Sequence, residues 1–178
     1  MDILALKVNL PRVVTWIDNV VQQHRRSARP VTSLGFARLS QYYDLGTLSR
    51  AFVVEVDAVP KPPLVSLGLR QFEAFEQMDS DGITYRDTYF VKREHAADES
   101  LHFHELVHVL QWQALGPEHF ILSYALGLAG GYLANPFEEI AYTLQDRFSQ
   151  HDEPFRVEPI VKRHLDQTMP TLWASASR

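Results

Sequence analysis

The chain has 178 residues, of which 46% are hydrophobic and 22% are charged, the composition of an ordinary globular protein. We expect a single domain over residues 1–178. The formal net charge of −5 argues against a nucleic-acid partner, because such proteins need a concentrated basic surface. Because the sequence has no cysteine, any metal must be held by histidine and carboxylate side chains.

The sequence shows no segment typical of secretion or of a membrane span. Residues 1–7 contain an early acid and no long apolar core. The longest apolar run, residues 120–134, is interrupted by glycines and is short for a membrane helix, so a buried helix explains it better. We therefore expect a cytoplasmic protein.

The elements before residue 98 are predicted to form a scaffold. The predicted elements are a helix over residues 10–26 with Pro11 near its start, a loop with one short helix over 29–45, a strand over 49–59, a short helix over 69–78 and a strand over 83–91. The last strand can lie along the rim of a cleft and pair with an extended peptide, or it can be a plain sheet strand. With the later helices, this order predicts an α+β fold.

Residues 98–115 are predicted to form the central helix. Their apolar side chains cover one broad side, and the acidic pair Asp98-Glu99 suits the positive end of the helix dipole. The pair Gly116-Pro117 is typical of a helix end.

Within this helix, residues 104–108 spell the pattern H-E-x-x-H. His104 and His108 lie about 40° apart around the helix axis and one turn apart along it, with Glu105 beside them. Neutral imidazole is a good ligand of Zn²⁺, and a catalytic zinc site usually adds one carboxylate and a water. The pattern predicts a Zn²⁺ site and a third ligand from another segment; the alternative is two histidines that only solvate a helix face.

The candidates for the third ligand lie in a helix that is predicted to begin at Asn135. Asn135 is a good N-cap and Pro136 suits the first helical position. Glu138 can then close a capping box on the backbone, or it can face inward as the ligand. Its neighbour Glu139 is the other candidate.

Three segments together resemble a group of bacterial zinc metallopeptidases, the glutamate-type zincins. They are G-I-T-x-x-x-T at residues 82–88, H-E-L-V-H-V-x-Q at 104–111 and N-P-x-E-x-x-A-Y at 135–142. The resemblance covers roughly residues 80–148. It implies a zincin-like fold, in which a small β-sheet packs on several helices around the H-E-x-x-H helix.

The same resemblance implies roles for four residues. His104, His108 and Glu138 match the metal ligands, and Glu105 matches the catalytic general base. Thermolysin-like families often carry an aspartate four residues after the ligand glutamate, where this chain has Tyr142. Partners that orient the histidines must then come from elsewhere, and the candidates are Asp98, Asp146, Gln111 and Gln113.

The predicted function is hydrolysis of a peptide bond in a peptide or protein substrate. Glu105 would take a proton from a zinc-activated water and pass it to the leaving amine. Candidate donors to the transition state are His119, Tyr124, Tyr132 and Tyr142. One alternative is a zinc-bearing binding module that cuts nothing. Another is a di-iron protein, because Glu99-x-x-His102 repeats the E-x-x-H spacing, although His102 should point away from His104.

Overall fold

The computed structural model describes residues 3–150 and 153–176, and within these ranges the chain is a mixed α+β protein. The α-helices are α1 (Ile3–His24), α2 (Leu39–Tyr42), α3 (Leu45–Arg50), α4 (Glu73–Gln77), α5 (Glu99–Gly127), α6 (Pro136–Ser149) and α7 (Val157–Ala176). The strands are β1 (Arg29–Pro30), β2 (Phe52–Val56), β3 (Gly82–Tyr85) and β4 (Thr88–Lys92). Short 3-10 helices cover Val31–Ser33, Arg70–Phe72, Arg93–His95 and Leu128–Gly130. The expected fold class, α+β with a long central helix, is confirmed at this level.

The four strands form one sheet in the order β1-β2-β4-β3. β2 runs parallel to β4, and β3 pairs with β4 as an antiparallel hairpin. The prediction of one strand over residues 83–91 is therefore wrong, because the chain reverses at Arg86-Asp87. Arg86 has a φ of 62°, in the left-handed region. β3 is an edge strand of the sheet and lies beside helix α5.

Helix α5 lies at the centre and contacts α1, α6, α7 and the hairpin. It begins as predicted, since the Asp98 side chain accepts hydrogen bonds from the backbone N–H groups of Ser100 and Leu101. The predicted helix end at Gly116-Pro117 falls where two helical segments of α5 meet at a kink. Gly116 has φ 72° and ψ 166°, a conformation open essentially to glycine alone, and the helix resumes at Pro117.

Helix α1 is longer than predicted, and both α1 and α7 contain proline in their interior. α1 begins at Ile3 and holds Pro11 in its interior, and α7 runs for 20 residues with Pro170 inside it. Buried residues at helical spacing in α7, Val157, Val161 and Leu165, pack into the core beneath α5. This packing stabilises a helix that local propensity disfavours.

No helix in the described part of the chain combines the length and apolarity needed to cross a membrane.

Candidate metal centre

His104 and His108 lie on the buried side of α5, and their side chains converge. Their Nε2 atoms are 3.1 Å apart, and the residues are 4% and 6% exposed. The helix places both rings on one face, as the spacing predicts. Burial means that each ring nitrogen needs a partner from the protein or from a bound ion.

Two glutamines orient these rings. Gln145 Oε1 lies 2.9 Å from His104 Nδ1, and Gln111 Oε1 lies 2.8 Å from His108 Nδ1. The Gln111 amide orientation is fixed, since its Nε2 donates to the carbonyl of Phe137, and Gln145 Nε2 donates to Ser100 Oγ. An amide oxygen can only accept, so each Nδ1 carries the hydrogen. In its neutral form each ring therefore presents a bare Nε2 lone pair to the space between the rings.

Glu138 reaches the same space from α6. Asn135 caps that helix with its own side chain, and its backbone N–H bonds the carbonyl of Tyr132. The Glu138 side chain is thus not used in a capping box. It is 2% exposed, and its carboxylate oxygens lie 3.4 Å from each histidine Nε2. Glu139, the other candidate, is exposed to solvent.

These three groups lie close to the spacing that zinc requires. Ligand atoms bonded at about 2.0–2.1 Å to a tetrahedral zinc ion lie roughly 3.3–3.4 Å from one another. The two Nε2 atoms are 3.1 Å apart, and each is 3.4 Å from one Glu138 oxygen, His104 from Oε2 and His108 from Oε1. Among the residues described, His104, His108 and Glu138 form the group of potential ligands that could hold a metal ion. A three-ligand set leaves the fourth tetrahedral position open.

The electrostatics of the cluster also favour a cation. Burial alone would lower the pKa of His108, but the neighbouring Glu138 and Glu105 carboxylates outweigh it and raise this pKa to about 9. Burial opposes ionisation of Glu138, yet the two histidines hold its pKa well below the usual value. Glu138 Oε2 has no hydrogen-bond partner within the described chain. The space among these groups therefore stabilises positive charge, which fits a metal ion.

Glu105 stands beside the ligands and is 3% exposed. Thr84 of β3 donates a 2.6 Å hydrogen bond to Glu105 Oε2. A Cβ atom at Gly82 would overlap the same carboxylate, so glycine is required for this close approach. Burial raises the pKa of Glu105, against the charges of the histidines and the Thr84 hydrogen bond. A raised pKa makes this carboxylate a better proton acceptor.

Tyrosines surround the ligand glutamate. Tyr124 donates a 2.6 Å hydrogen bond to Glu138 Oε1, and burial raises the pKa of this tyrosine well above its usual value. The ring of Tyr142 packs 4.6 Å from the ring of His104. Burial, followed by the charge of Glu138, raises the pKa of Tyr132. His119 is exposed on α5.

Only some of the predicted partner side chains contact His104 or His108. Of the four candidates for orienting the histidines, Gln111 does so, whereas Asp98 caps α5 and Gln113 is exposed. Asp146 is exposed as well, and its neighbour Gln145 takes the role that sequence reasoning missed. The spacing of Gln145, seven residues after Glu138 and so on the same helix face, is the signal that could have found it.

His102 faces away from the cluster, as predicted. Its Nε2 donates to the carbonyl of Ala96 and its Nδ1 accepts from the Tyr89 hydroxyl at 2.7 Å. Glu99 lies instead near Arg38, with 3.8 Å between the charged atoms. The second E-x-x-H pair therefore does not share the space occupied by the first.

No family model matches the chain, and the searches of curated proteins and of solved structures found no match either.

Proposed function

We propose that this chain is a zinc-dependent peptide-bond hydrolase with a zincin-like fold, in which His104, His108 and Glu138 hold the metal and Glu105 is the general base. One observation carries the proposal. Two imidazole Nε2 atoms and one carboxylate converge at 3.1–3.4 Å in a buried space, and a second buried carboxylate stands next to them. Two histidines and one carboxylate, with the fourth position left open for water, are a common arrangement in hydrolytic zinc sites.

The chemistry divides between the metal and the chain. Zn²⁺ bound there would supply a Lewis acid and an acidified water. Glu105 would accept a proton from that water and deliver it to the leaving amine. Thr84 would hold the carboxylate in place during both transfers, because its hydroxyl already donates to Glu105 Oε2. Tyr124 would keep Glu138 oriented through its hydrogen bond to Oε1.

Two features favour a hydrolase over a zinc-bearing binding module. A structural zinc site normally has four protein ligands, whereas three residues form this group in the described chain. Burying the Glu105 carboxylate costs stability, and its side-chain hydrogen-bond partner is the neutral hydroxyl of Thr84. A role as general base would explain why a carboxylate is buried there. In addition, residues of the edge strand β3 line the cavity beside the site.

The test is the substitution Glu105→Gln. We expect the purified protein to contain about one zinc ion per chain, and to hydrolyse casein or a peptide library in a chelator-sensitive way. The Glu105→Gln variant should keep its zinc and lose at least about 100-fold in kcat, because an amide cannot accept the proton. Metal content is measured by plasma mass spectrometry and cleavage by mass spectrometry of products.

The matched control is Glu139→Gln, the same change at an exposed carboxylate near the ligand glutamate. It should retain both zinc and activity. Full turnover by Glu105→Gln would remove the general-base assignment. Stoichiometric zinc without cleavage of any peptide would favour the binding module.

A further inference from the structure

An apolar cavity lies directly against the candidate metal centre. Its volume is about 120 Å³, it is partly open to the surface, and Glu105, His108 and Glu138 form part of its wall. Protein interiors are close-packed and rarely leave voids larger than a water molecule. A cavity of this size is comparable to the roughly 150 Å³ apolar cavity known to bind benzene in an engineered protein.

The rest of the wall is almost entirely apolar. It draws on helices and strands that are far apart in sequence, and its main contributors are Phe72, Phe75, Ile83, Trp112, Phe120 and Ile121. Trp112 and Phe120 stack with their ring centroids 4.1 Å apart, and Tyr124 continues the stack at 5.6 Å from Phe120. This aromatic stack makes the wall rigid, so that the cavity is formed in advance of binding.

Several polar atoms of the wall away from Glu105, His108 and Glu138 are already engaged. Trp112 Nε1 donates to the carbonyl of Thr84 at 3.1 Å, which leaves the face of the indole ring for apolar contact. The Tyr124 hydroxyl is bonded to Glu138, and the Tyr85 hydroxyl to the carbonyl of Pro60. A charged side chain that enters this apolar part of the cavity would lose its hydration without gaining partners, so the apolar wall selects against it.

A second cavity next to Glu105 has a different character. Its lining is mostly polar and includes the acidic residues Asp79, Asp81 and Asp98, and it shares Met78, Ser80, Gly82, Glu105 and Tyr132 with the first cavity. The site is therefore asymmetric. An apolar preference should act on only one side of the reacting bond.

We propose that the apolar cavity is a specificity pocket that binds one bulky apolar side chain, such as leucine, methionine or phenylalanine, of a peptide substrate. The peptide bond next to that side chain then lies over His104, His108 and Glu138. This inference depends on the proposed function for its meaning in catalysis, but the pocket can be tested by binding alone.

The binding test uses N-acetyl-4-fluorophenylalaninamide as the probe, followed by fluorine NMR with the zinc-loaded protein. The wild type should bind this probe at least about 10-fold more tightly than it binds N-acetylalaninamide, since burying a large apolar side chain is strongly favourable. The affinity of N-acetylalaninamide is measured by its competition with the probe. Ile121→Trp, which places an indole in the cavity, should weaken binding of the probe by at least about 10-fold.

The matched control is Ile140→Trp. Ile140 is also a half-buried isoleucine, but it lies on α6 and is not part of the cavity wall. Its variant should bind the probe like the wild type. Circular dichroism checks that each variant is folded, and Ala125→Leu, a smaller filling of the same wall, replaces Ile121→Trp if that variant is unfolded. Equal binding of the probe by the wild type and by the folded filled variant would overturn the pocket.

The catalytic test varies one residue at a time on each side of the cleaved bond in a peptide library. Leucine, methionine or phenylalanine at a single neighbouring position should raise kcat/KM about 10- to 200-fold over alanine or lysine. Cleavage without such a preference would overturn the pocket while the hydrolase stands. Probe binding that is lost in Ile121→Trp, with no cleavage of any peptide, would support the apolar pocket and overturn the proposed function.

Discussion

Two residues of strand β3 hold the carboxylate of Glu105. Thr84 donates to Oε2 at 2.6 Å, and Gly82 leaves the space that the carboxylate occupies. Neither residue is a metal ligand. In the proposed reaction they would fix the position of the proton acceptor, which proton transfer needs within hydrogen-bond distance.

The substitution Thr84→Val tests this positioning role. Valine has nearly the same shape but no hydroxyl, so the carboxylate loses a hydrogen bond worth about 1.5–3 kcal/mol. We expect kcat to fall roughly 10- to 100-fold with KM and zinc content unchanged. Thr84→Ser should restore most of the rate. The control is Thr88→Val on β4, a buried threonine that bonds Asp87 instead; equal kcat losses in Thr84→Val and Thr88→Val would show that the role is only structural.

Gln145 and Gln111 give the histidines their tautomer. Because both donate their amide N–H groups elsewhere, they offer only oxygen to the imidazoles. Neutral amides in these positions leave the histidines less basic than carboxylates would. They nevertheless leave both Nε2 lone pairs directed at the same point.

Replacing Gln145 by alanine should weaken zinc binding. Loss of an orienting partner of a ligand histidine typically costs about 10- to 100-fold in metal affinity. The measurement is competition with a chelator of known affinity. Gln113→Ala, at an exposed glutamine on the same helix as His104, is the control and should bind zinc like the wild type. An unchanged zinc affinity of Gln145→Ala would contradict the orienting role.

At the scale of elements, the kink in α5 divides the helix into two segments that both reach the candidate site. The segment before Gly116 carries His104 and His108, and the segment after it carries Tyr124, which bonds Glu138. A straight helix would send Tyr124 further along the axis, away from α6. The glycine thus sets the direction from which the second half of α5 returns to the site.

Gly116→Ala should destabilise the protein by about 1–3 kcal/mol, because alanine is strained at φ 72° and ψ 166°. The measurement is chemical denaturation with the zinc concentration held constant. Gly130→Ala is the control, since a Cβ there meets only ordinary contacts at 3.7 Å and the backbone is not strained. If both variants have the same free energy of unfolding, the kink has no special requirement for glycine.

The sequence predicts some of these elements well and others poorly, for physical reasons. The capping side chains Asp98 and Asn135 mark helix starts, because capping is a local interaction. The hairpin is missed because Arg86-Asp87 lacks the glycine or asparagine that usually takes a left-handed conformation. The length of α1 is missed because Pro11 is typical of a helix start, whereas here it lies inside a helix that packs against α5.

The same division applies to the site. The spacing of His104 and His108 predicts a shared face, since helix periodicity is local. The choice of Glu138 over Glu139 depends on how α6 packs against α5, which no local pattern contains. The apolar cavity is harder still, because its wall comes from segments spread between residues 6 and 138. Side chains so far apart in sequence become neighbours only in the folded chain.

For the whole molecule, the proposed metal centre would join metal binding to stability. His104, His108 and Glu138 connect α5 to α6, and, although burial opposes it, the nearby carboxylates raise the pKa of His108 to about 9, so the cluster holds a proton when no metal ion is bound. A metal ion held by the three side chains would replace that proton. Because the unfolded chain has no preformed site, the binding energy would stabilise the fold.

Zinc should therefore raise the melting temperature. At a free zinc concentration about 100 times the dissociation constant, binding stabilises the fold by about 2.7 kcal/mol, or roughly 5–11 °C for a chain of this size. The measurement is scanning calorimetry of the chelator-treated protein before and after zinc is restored. Glu138→Ala should lose most of the increase, whereas His119→Ala, at an exposed histidine of α5, should keep it. Identical melting temperatures with and without zinc in the wild type would contradict a metal centre built from these three residues.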